Sequence, residues 1–420
     1  MSKKIRVGVF GAYRGKCMID VLAHHPDAQL VAVCDKYRPL LDEVYRLAQE
    51  VGTSVALYED FESFFQHDMD AVVLANYANE HAPYAVRLLR SGRHVLSEVL
   101  PCETMAQAVA LAEAVEESGK VYAYAENYCY MDHAFEMWRR YERGDIGEVT
   151  YAEGEYIHDC SSIWPHITYG DPNHWRNLVS PTFYCTHSIG PMLTITGRRP
   201  VRVVGFDTPP DPRMLALGSR NGMPGAVEML ILDNGAVAKS VHGCLKREPG
   251  SANYEVYGTK GMMETERFDE TRLNVYIEGA TLCHGERENY APEKVIAGEL
   301  AAQTHTHGGS DFYATHFFIE KILGRPDGMK YSIDVYRALD MGICGILAYR
   351  SILNGNVPME VPDFRDPAAR EPYRNDNACT NPAVASGDEL LPFSSRGELT
   401  IPSDAYEKVR ALWQAGKCAE

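Results

Sequence analysis

Residues 5–125 alternate short β-rich runs with amphipathic helical stretches, and this alternation constrains the fold more than any other feature of the chain. The stretches between the runs carry apolar residues at helical spacing. The predicted strands are Ile5–Phe10, Gln29–Cys34, Ser54–Tyr58, Asp70–Ala75, His94–Ser97 and Lys120–Ala125. Repeated strand–helix–strand units predict an α/β fold with a doubly wound parallel sheet, because parallel neighbours need a crossover connection.

The pattern changes after Asn127. A helix over Met131–Arg143 leads into strands separated by turn signals such as Asp233-Asn-Gly, which favour antiparallel hairpins. We therefore predict a first domain at 1–125 and a second α/β domain at 126–360, with an open, mainly antiparallel sheet. Residues 361–420 hold several prolines and are predicted to form an extended arm on their own or a neighbouring subunit.

Charge and composition exclude several classes of function. The net charge of −17 argues against nucleic-acid and anionic-membrane partners, which need a basic footprint. No apolar run approaches the roughly 20 residues that span a bilayer, and no secretory signal is visible. Eleven dispersed cysteines without zinc-type spacing indicate reduced thiols, a cytoplasmic protein and no metal site.

The turn after the first strand has the context of a dinucleotide site. It reads Gly11-Ala-Tyr13-Arg14-Gly15 and joins a strand directly to a helix. The free N–H groups of a helix N-terminus bind a pyrophosphate well. The match to Gly-x-Gly-x-x-Gly is imperfect, since Tyr13 stands where the second glycine belongs, and an ordinary strand–helix turn is the alternative.

Asp35 closes the second strand, 24 residues after Gly11. An acid there accepts hydrogen bonds from the adenosine ribose and repels a 2′-phosphate, which favours NAD over NADP. Lys36 and Arg38 nearby leave NADP open, and the alternative role of Asp35 is a helix N-cap.

Four further residues are candidates for the same cofactor site. Glu98 ends the fifth strand, Asn76 and His81 follow the fourth, and Asn127 lies at the domain junction. Ligands bind at the carboxyl ends of strands in such sheets. A structural role for Glu98, and loop hydrogen bonds for the others, are the alternatives.

Several runs, in their order and spacing, resemble the Gfo/Idh/MocA oxidoreductase family over nearly the whole chain. They are Asp70-Ala-Val-Val-Leu-Ala-Asn with His81, Gly92-Arg-His-Val-Leu-Ser-Glu98, Gly147-Glu-Val-Thr-Tyr-Ala-Glu, Trp175-Arg176, Thr186-His187, Tyr257-Gly-Thr-Lys-Gly261 and Val361-Pro-Asp-Phe-Arg. The resemblance implies a Rossmann domain followed by an α/β domain. The open sheet of that second domain would carry the substrate site and often an oligomer interface, so a homo-oligomer is expected. The family oxidises or reduces hydroxyls of sugars, inositols and related compounds with nicotinamide.

Two proton-handling residues usual in the family dehydrogenases are missing. Their Glu-Lys-Pro run is replaced by Glu98-Val-Leu-Pro101, so the lysine is absent. These dehydrogenases also carry an aspartate and, four residues later, a histidine. His187 matches that histidine, and Phe183 stands at the position of the aspartate.

The run Tyr184-Cys-Thr-His187-Ser-Ile-Gly-Pro191 is similar to one branch of that family, the NAD-dependent glycosidases typified by α-N-acetylgalactosaminidase. In that branch the tyrosine and histidine are acid/base groups. NAD⁺ oxidises carbon 3 of the sugar, elimination expels the aglycone, water adds and the hydroxyl is restored. A tyrosine generally follows the aspartate of that branch's His-Gly-Gly-x-Asp run, whereas this chain has Phe312.

The residue types suit hydride chemistry. His187 is the candidate base for a sugar hydroxyl, since the ordinary pKa of histidine is about 6.5. Tyr184 is the second candidate, with an ordinary pKa of about 10 that a nearby positive charge would have to lower. A helix-capping role for His187 and a core position for Tyr184 are the alternatives.

Trp175 and Arg176 are predicted to form a sugar platform, because an indole stacks on a sugar ring and a guanidinium donates to its hydroxyls. His307 is predicted to reach the substrate as well. His305 and His307 lack a visible third ligand, which speaks against a metal.

We therefore predict NAD-dependent oxidation of a ring hydroxyl in a sugar or glycoside substrate. The resemblance implies that this hydroxyl is on carbon 3. A redox-neutral glycoside hydrolase or lyase and a non-catalytic nicotinamide-binding sensor remain the alternatives.

Overall fold

The computed structural model describes residues 4–279, 285–293, 296–301 and 309–419. The chain divides into two compact units. The first is formed from Met1–Cys102, Gln107–Asp132 and Glu293–Leu339, and the second from Glu103–Ala106, His133–Pro292 and Asp340–Glu420.

The strands are β1 (Ile5–Phe10), β2 (Ala28–Cys34), β3 (Ala56–Tyr58), β4 (Ala71–Leu74), β5 (His94–Ser97), β6 (Tyr122–Tyr124), β7 (Val149–Ile157), β8 (Pro200–Asp207), β9 (Ala226–Leu232), β10 (Val237–Gly243), β11 (Ser251–Gly258), β12 (Gly261–Thr265), β13 (Leu273–Ile277), β14 (Glu286–Tyr290) and β15 (Met359–Glu360). The helices are α1 (Ala12–His24), α2 (Arg38–Glu50), α3 (Phe61–Phe65), α4 (His81–Arg90), α5 (Met105–Ser118), α6 (Asp132–Glu142), α7 (Trp164–Thr168), α8 (Thr186–Thr196), α9 (Pro212–Ala216), α10 (Gly298–Ala301), α11 (Ser310–Ile322), α12 (Pro326–Tyr331), α13 (Val335–Leu353), α14 (Pro367–Arg370) and α15 (Ala405–Gln414).

The first unit contains a six-stranded sheet in the order β3-β2-β1-β4-β5-β6. Every neighbouring pair is parallel. All four residues of β4 are buried, as expected for a central strand that is covered on both faces. The predicted doubly wound parallel sheet is confirmed, and the six predicted strands match β1 to β6 with small shifts at their ends.

The second unit contains a nine-stranded sheet in the order β14-β13-β12-β11-β7-β10-β9-β8-β15. Its neighbours are antiparallel except for the parallel pair β7 and β10. Helix α8 packs on β7, β10 and β11, and all of its residues are buried. Gly154 on β7 permits this close approach, since a Cβ there would lie 2.0 Å from the Ser188 carbonyl oxygen. The predicted mainly antiparallel sheet is confirmed.

Helix α11 belongs to the first unit, although the predicted boundaries assign it to a second domain at 126–360. It packs against α1, and the two helices run in the same direction. Near their ends His25 Nε2 lies 3.0 Å from His316 Nδ1, and the Asp27 N–H donates to His25 Nδ1. Residues 310–320 are buried throughout, so this helix completes the first core. Amphipathic spacing alone does not reveal which core buries a helix.

The predicted C-terminal arm, 361–420, groups with the second unit. Within the described ranges, no helix is both long and apolar enough to cross a membrane.

Candidate functional site

The turn between β1 and α1 has the backbone geometry of a phosphate cradle. Gly11 has φ of +98°, and a Cβ there would lie 2.3 Å from the Ala75 carbonyl oxygen. A Cβ on Gly15 would lie 2.8 Å from Val9 Cγ1, so this glycine allows close packing of helix on strand. These are two of the roles that glycines have in a dinucleotide fingerprint. The turn therefore fits NAD although Tyr13, half exposed, replaces the middle glycine.

Asp35 lies beside this turn. Its Oδ2 accepts a hydrogen bond of 2.8 Å from the Ala12 N–H, and its Oδ1 accepts one of 2.8 Å from the Tyr37 N–H. The carboxylate thus joins the end of β2 to the start of α1. The N-cap position of α2 is held by Tyr37, without a side-chain hydrogen bond. This location at the carboxyl end of β2 is the one from which an acid contacts an adenosine ribose.

Arg14, in the first turn of α1, is held by two buried carboxylates. Its Nη2 lies 2.7 Å from Glu98 Oε1 and 2.7 Å from Asp311 Oδ1. Burial raises the pKa of Glu98 to about 7, although the positive charge of Arg14 opposes this shift. The cluster fixes Arg14 in the turn between β1 and α1 and ties the start of α11 to the end of β5.

His81 is buried and bridges two loops. Its Nδ1 lies 3.1 Å from the Leu100 carbonyl oxygen and its Nε2 lies 3.2 Å from the Asn76 carbonyl oxygen. Burial lowers the pKa of His81 to about 4, so the ring is neutral at pH 7 and donates to only one of these carbonyls. His81 therefore holds together the backbone of the two loops that follow β4 and β5.

Asn76 offers an acceptor at these strand ends. Its Nδ2 donates weakly to Glu80 at 3.4 Å, whereas its buried Oδ1 has no hydrogen-bond partner. A buried acceptor without a partner is uncommon in native proteins and is consistent with a ligand that donates there. Asn127 is also buried, at the start of the 3₁₀ turn that follows β6.

In the second unit, Tyr184 and His187 form a hydrogen-bonded pair at the start of α8. His187 Nε2 lies 3.1 Å from the Tyr184 hydroxyl. The hydroxyl of Tyr254 donates to the His187 carbonyl oxygen at 2.7 Å, which fixes the backbone of the histidine. A phenol and an imidazole at this distance can pass one proton between them.

Tyr156 on β7 is a third member of this cluster, which the sequence analysis missed. Its ring meets the His187 ring edge to face, with centroids 4.7 Å apart. Its hydroxyl lies 3.2 Å from His158 Nδ1. Strand periodicity could have found it, because Ala152, Gly154 and Tyr156 share the face of β7 on which α8 packs.

Trp175 and Arg176 are brought to the same cluster by a 3₁₀ turn at Trp175–Asn177. The ring centroids of Trp175 and Tyr184 are 5.8 Å apart. The Arg176 guanidinium carbon lies 4.3 Å from the Trp175 ring centroid and 5.2 Å from that of Tyr184. Four residues predicted to act on a sugar therefore lie together in one unit.

A buried polar network holds α8 to the sheet directly behind His187. The Ser188 hydroxyl lies 2.7 Å from that of Ser240, which donates to Glu228 Oε2 at 2.6 Å. His242 Nε2 lies 2.9 Å from Glu228 Oε1. All four side chains are buried, so this network fixes the start of α8.

His305 and His307 lie outside the described residues. Among the residues that are described, no group of three or more His, Cys, Asp or Glu side chains could hold a metal ion.

Comparison with known proteins gives two family matches. Residues 5–126 match the model described as oxidoreductase family, NAD-binding Rossmann fold. Residues 226–369 match the model described as glycosyl hydrolase 109, C-terminal domain.

Relatives that align over most of the chain agree with these matches. A glycosyl hydrolase family 109 protein 1 of Phocaeicola vulgatus is 25% identical over 405 residues, covering 86% of this chain and 84% of its own. A glycosyl hydrolase family 109 protein of Saccharopolyspora erythraea is 24% identical over 394 residues, covering 86% and 83%.

Two similar solved structures share the fold. A levoglucosan dehydrogenase in complex with NADH and L-sorbose has a TM-score of 0.67 at 19% identity. The myo-inositol 2-dehydrogenase of Lactobacillus plantarum has a TM-score of 0.65 at 16% identity. Each match covers 86% of this chain and 100% of the other.

Proposed function

Because the chain combines an NAD-binding Rossmann domain of the Gfo/Idh/MocA oxidoreductase type with a glycosyl hydrolase 109 C-terminal domain, we propose that it is an NAD-dependent glycosidase. In this proposal the enzyme oxidises a ring hydroxyl of a glycoside, at carbon 3, only transiently. The observation that carries the proposal is the hydrogen-bonded pair of Tyr184 and His187.

The first unit would hold the cofactor. The turn at Gly11 would bind the pyrophosphate with backbone N–H groups, and Asp35 would accept from the adenosine ribose hydroxyls. Asn76 Oδ1, with no partner of its own, is proposed to accept a cofactor hydrogen bond. When bound, the nicotinamide supplies reversible hydride transfer.

The second unit would supply acid and base. His187 takes the proton from the ring hydroxyl as its carbon is oxidised, which needs the neutral imidazole. Oxidation acidifies the neighbouring C–H, and the Tyr184 oxygen removes that proton so that the aglycone is expelled. Water then adds in place of the aglycone, which takes a proton from the water, and Tyr184 returns its proton to the ring carbon. Reversal of the oxidation returns the proton of His187 to the ring oxygen. The Arg176 guanidinium, 5.2 Å from the Tyr184 ring, stabilises negative charge on this oxygen. The 3.1 Å contact lets the two residues exchange protons between steps.

Trp175 and Arg176 are proposed to bind the sugar. The indole would stack on the apolar face of the ring, and the guanidinium would donate to its hydroxyls. Both lie against Tyr184, which supports a role on the same substrate.

A net sugar dehydrogenase is the second candidate, and Phe312 favours it. The glycosidase branch generally carries a tyrosine there, whereas Phe312 is buried and stacks on His316 with centroids 5.1 Å apart. Any step that depended on that phenol would be lost, and the oxidised sugar could then leave as product.

One assay separates these functions. Purified protein with NAD⁺ is given aryl glycosides and free sugars, and NADH absorbance and aglycone release are followed together. Aglycone release with little NADH supports the glycosidase, and NADH accumulation without release supports the dehydrogenase. Tight NADH binding with neither signal would support a non-catalytic sensor.

Variants then test the acid and base. His187→Gln and Tyr184→Phe should each lower kcat by about 10²-fold or more, while His24→Gln on the exposed end of α1 should not. Full turnover by His187→Gln would exclude it as the base.

We further propose that the enzyme works in the cytoplasm as a homo-oligomer. Val227, Met229 and Ile231 alternate with buried residues of β9 and remain partly exposed on its other face, which supports an interface there. Light scattering during gel filtration tests this, and a monomeric mass at micromolar concentration would contradict it.

A further inference from the structure

The chain continues well beyond its match to the glycosyl hydrolase 109 domain, which ends at residue 369. We call residues 376–419 the C-terminal segment; they belong to the second unit and include α15. We call residues 159–179 the platform loop, since it carries Trp175 and Arg176. No function described above accounts for the contacts between the two.

Polar contacts join the C-terminal segment to the platform loop at three separate points. The Thr380 hydroxyl donates to the carbonyl of Leu178, which directly follows the turn of Trp175 and Arg176. Arg410 Nη2 donates to the Gly170 carbonyl oxygen at 3.0 Å. The Ala419 N–H donates to the Ser162 carbonyl oxygen at 2.8 Å. The segment thus holds both ends and the middle of the loop.

The backbone of the loop is shaped around α15. Gly170 has φ of +65°, and a Cβ there would lie 2.5 Å from the Tyr406 carbonyl oxygen. Tyr169 has φ of +58°, a conformation that is unfavourable for an aromatic residue and persists only when its surroundings hold it. Val409 of α15 is buried in one apolar cluster with Trp164 of the loop.

A continuous row of rings leads from α15 to the acid–base pair. Successive ring centroids are 5.2 Å apart from Trp413 to Tyr169, 6.0 Å from Tyr169 to His174, 5.9 Å from His174 to Trp175 and 5.8 Å from Trp175 to Tyr184. Each spacing is within the range of direct aromatic contact. Displacement of Trp413 therefore removes the outer support of the row.

We propose that the C-terminal segment positions the platform loop, with Trp413 as a positioning residue, and thereby sets the affinity for the glycoside. This inference rests on the proposed function, in which Trp175 and Arg176 bind the sugar. The row connects Trp413 to Tyr184 through Tyr169, His174 and Trp175, so loss of Trp413 should weaken substrate binding and leave the chemical step intact. It should also leave NADH binding unchanged, because the cofactor residues belong to the first unit.

The test compares Trp413→Ala with Trp413→Phe, which keeps a ring, and with Glu407→Ala at an exposed position of the same helix. In Trp413→Ala, amide hydrogen exchange should accelerate across 169–178 and not across β9 and β10. KM for the aryl glycoside should rise about fivefold, the effect of one aromatic contact. The kcat and the Kd for NADH should stay within about twofold of wild type. Trp413→Phe should restore most of the KM, and Glu407→Ala should resemble wild type.

The outcomes separate this inference from the function on which it rests. Wild-type protein that turns over no glycoside refutes the proposed function, and exchange at 169–178 is still measured without substrate. Unchanged exchange in Trp413→Ala overturns the inference, and so does an unchanged KM despite faster exchange. Wild-type exchange across β9 and β10, which belong to the same unit as Trp413, shows that the second unit of the variant remains folded.

Discussion

Replacing Glu98 by glutamine should change how the stability of the first unit depends on pH. Glu98 is 3% exposed and shares the Arg14 guanidinium with the fully buried Asp311. Glutamine has nearly the same shape as a protonated glutamic acid but cannot ionise. The variant therefore removes one titration and leaves Arg14 paired with Asp311.

The size of the effect follows from the pKa of Glu98, which burial raises from 4.5 to about 7. The folded protein holds the proton more tightly than the unfolded chain does. This group therefore contributes stability that is fully present below pH 4.5 and is lost as the pH rises through 7. Each pKa unit is worth about 1.4 kcal/mol, so the loss amounts to about 3 kcal/mol. Relative to wild type, Glu98→Gln should become more stable by about that amount between pH 5 and pH 8.

The assay is urea unfolding at several pH values, following the transition that NADH shifts, since this transition reports the first unit. Glu50→Gln, at an exposed position of α2, is the matched control and should follow the wild-type profile. If wild type and Glu98→Gln kept parallel profiles from pH 5 to pH 8, a neutral form of Glu98 in the folded protein would be refuted.

Three further predictions test other parts of the molecule. Gly11→Ala should abolish measurable NADH binding in a fluorescence titration, because its Cβ would meet the Ala75 carbonyl oxygen. An unchanged Kd for NADH would refute the proposal that this turn binds the pyrophosphate. Burial lowers the pKa of His25 from 6.5 to about 4, so the first unit should lose stability as the pH falls from 6.5 towards 4. His25→Leu should reduce this loss. Identical pH profiles of stability for wild type and variant would argue against a neutral His25–His316 pair. Glu228→Ala strands the buried donors of Ser240 and His242 and should cost about 3 kcal/mol in urea unfolding. A loss below about 1 kcal/mol would mean that water or a neighbour replaces the carboxylate.

The local part of the fold was predictable from the sequence, because its signals are local. Strand and helix periodicity places β1 to β6, and the sequence also indicates that Asp35 lies beside the turn at Gly11, where we propose the cofactor site. The Tyr184 and His187 pair could be predicted because a spacing of three residues at the start of a helix keeps both side chains near one another.

The partners that complete each site could not be predicted in this way. Arg14 and Asp311 are 297 residues apart, and Ser188 and Ser240 are 52 residues apart. Such pairs depend on which helix packs on which sheet, and no periodic pattern within either segment carries that information. The same reason explains why the predicted boundaries place α11 in the second domain. The sequence of a helix that is buried on all sides does not show which core buries it.

The contact between α1 and α11 has a consequence for biosynthesis. Arg14 leaves the ribosome 297 residues before its partner Asp311. At about 5–20 residues per second, Asp311 is synthesised roughly 15–60 s after Arg14. During that interval the nascent sheet of the first unit lacks the helix that later covers α1, while the polypeptide of the second unit is being made. The early chain therefore exposes the face of α1 that α11 later covers, and a ribosome-associated chaperone would be most needed there during translation.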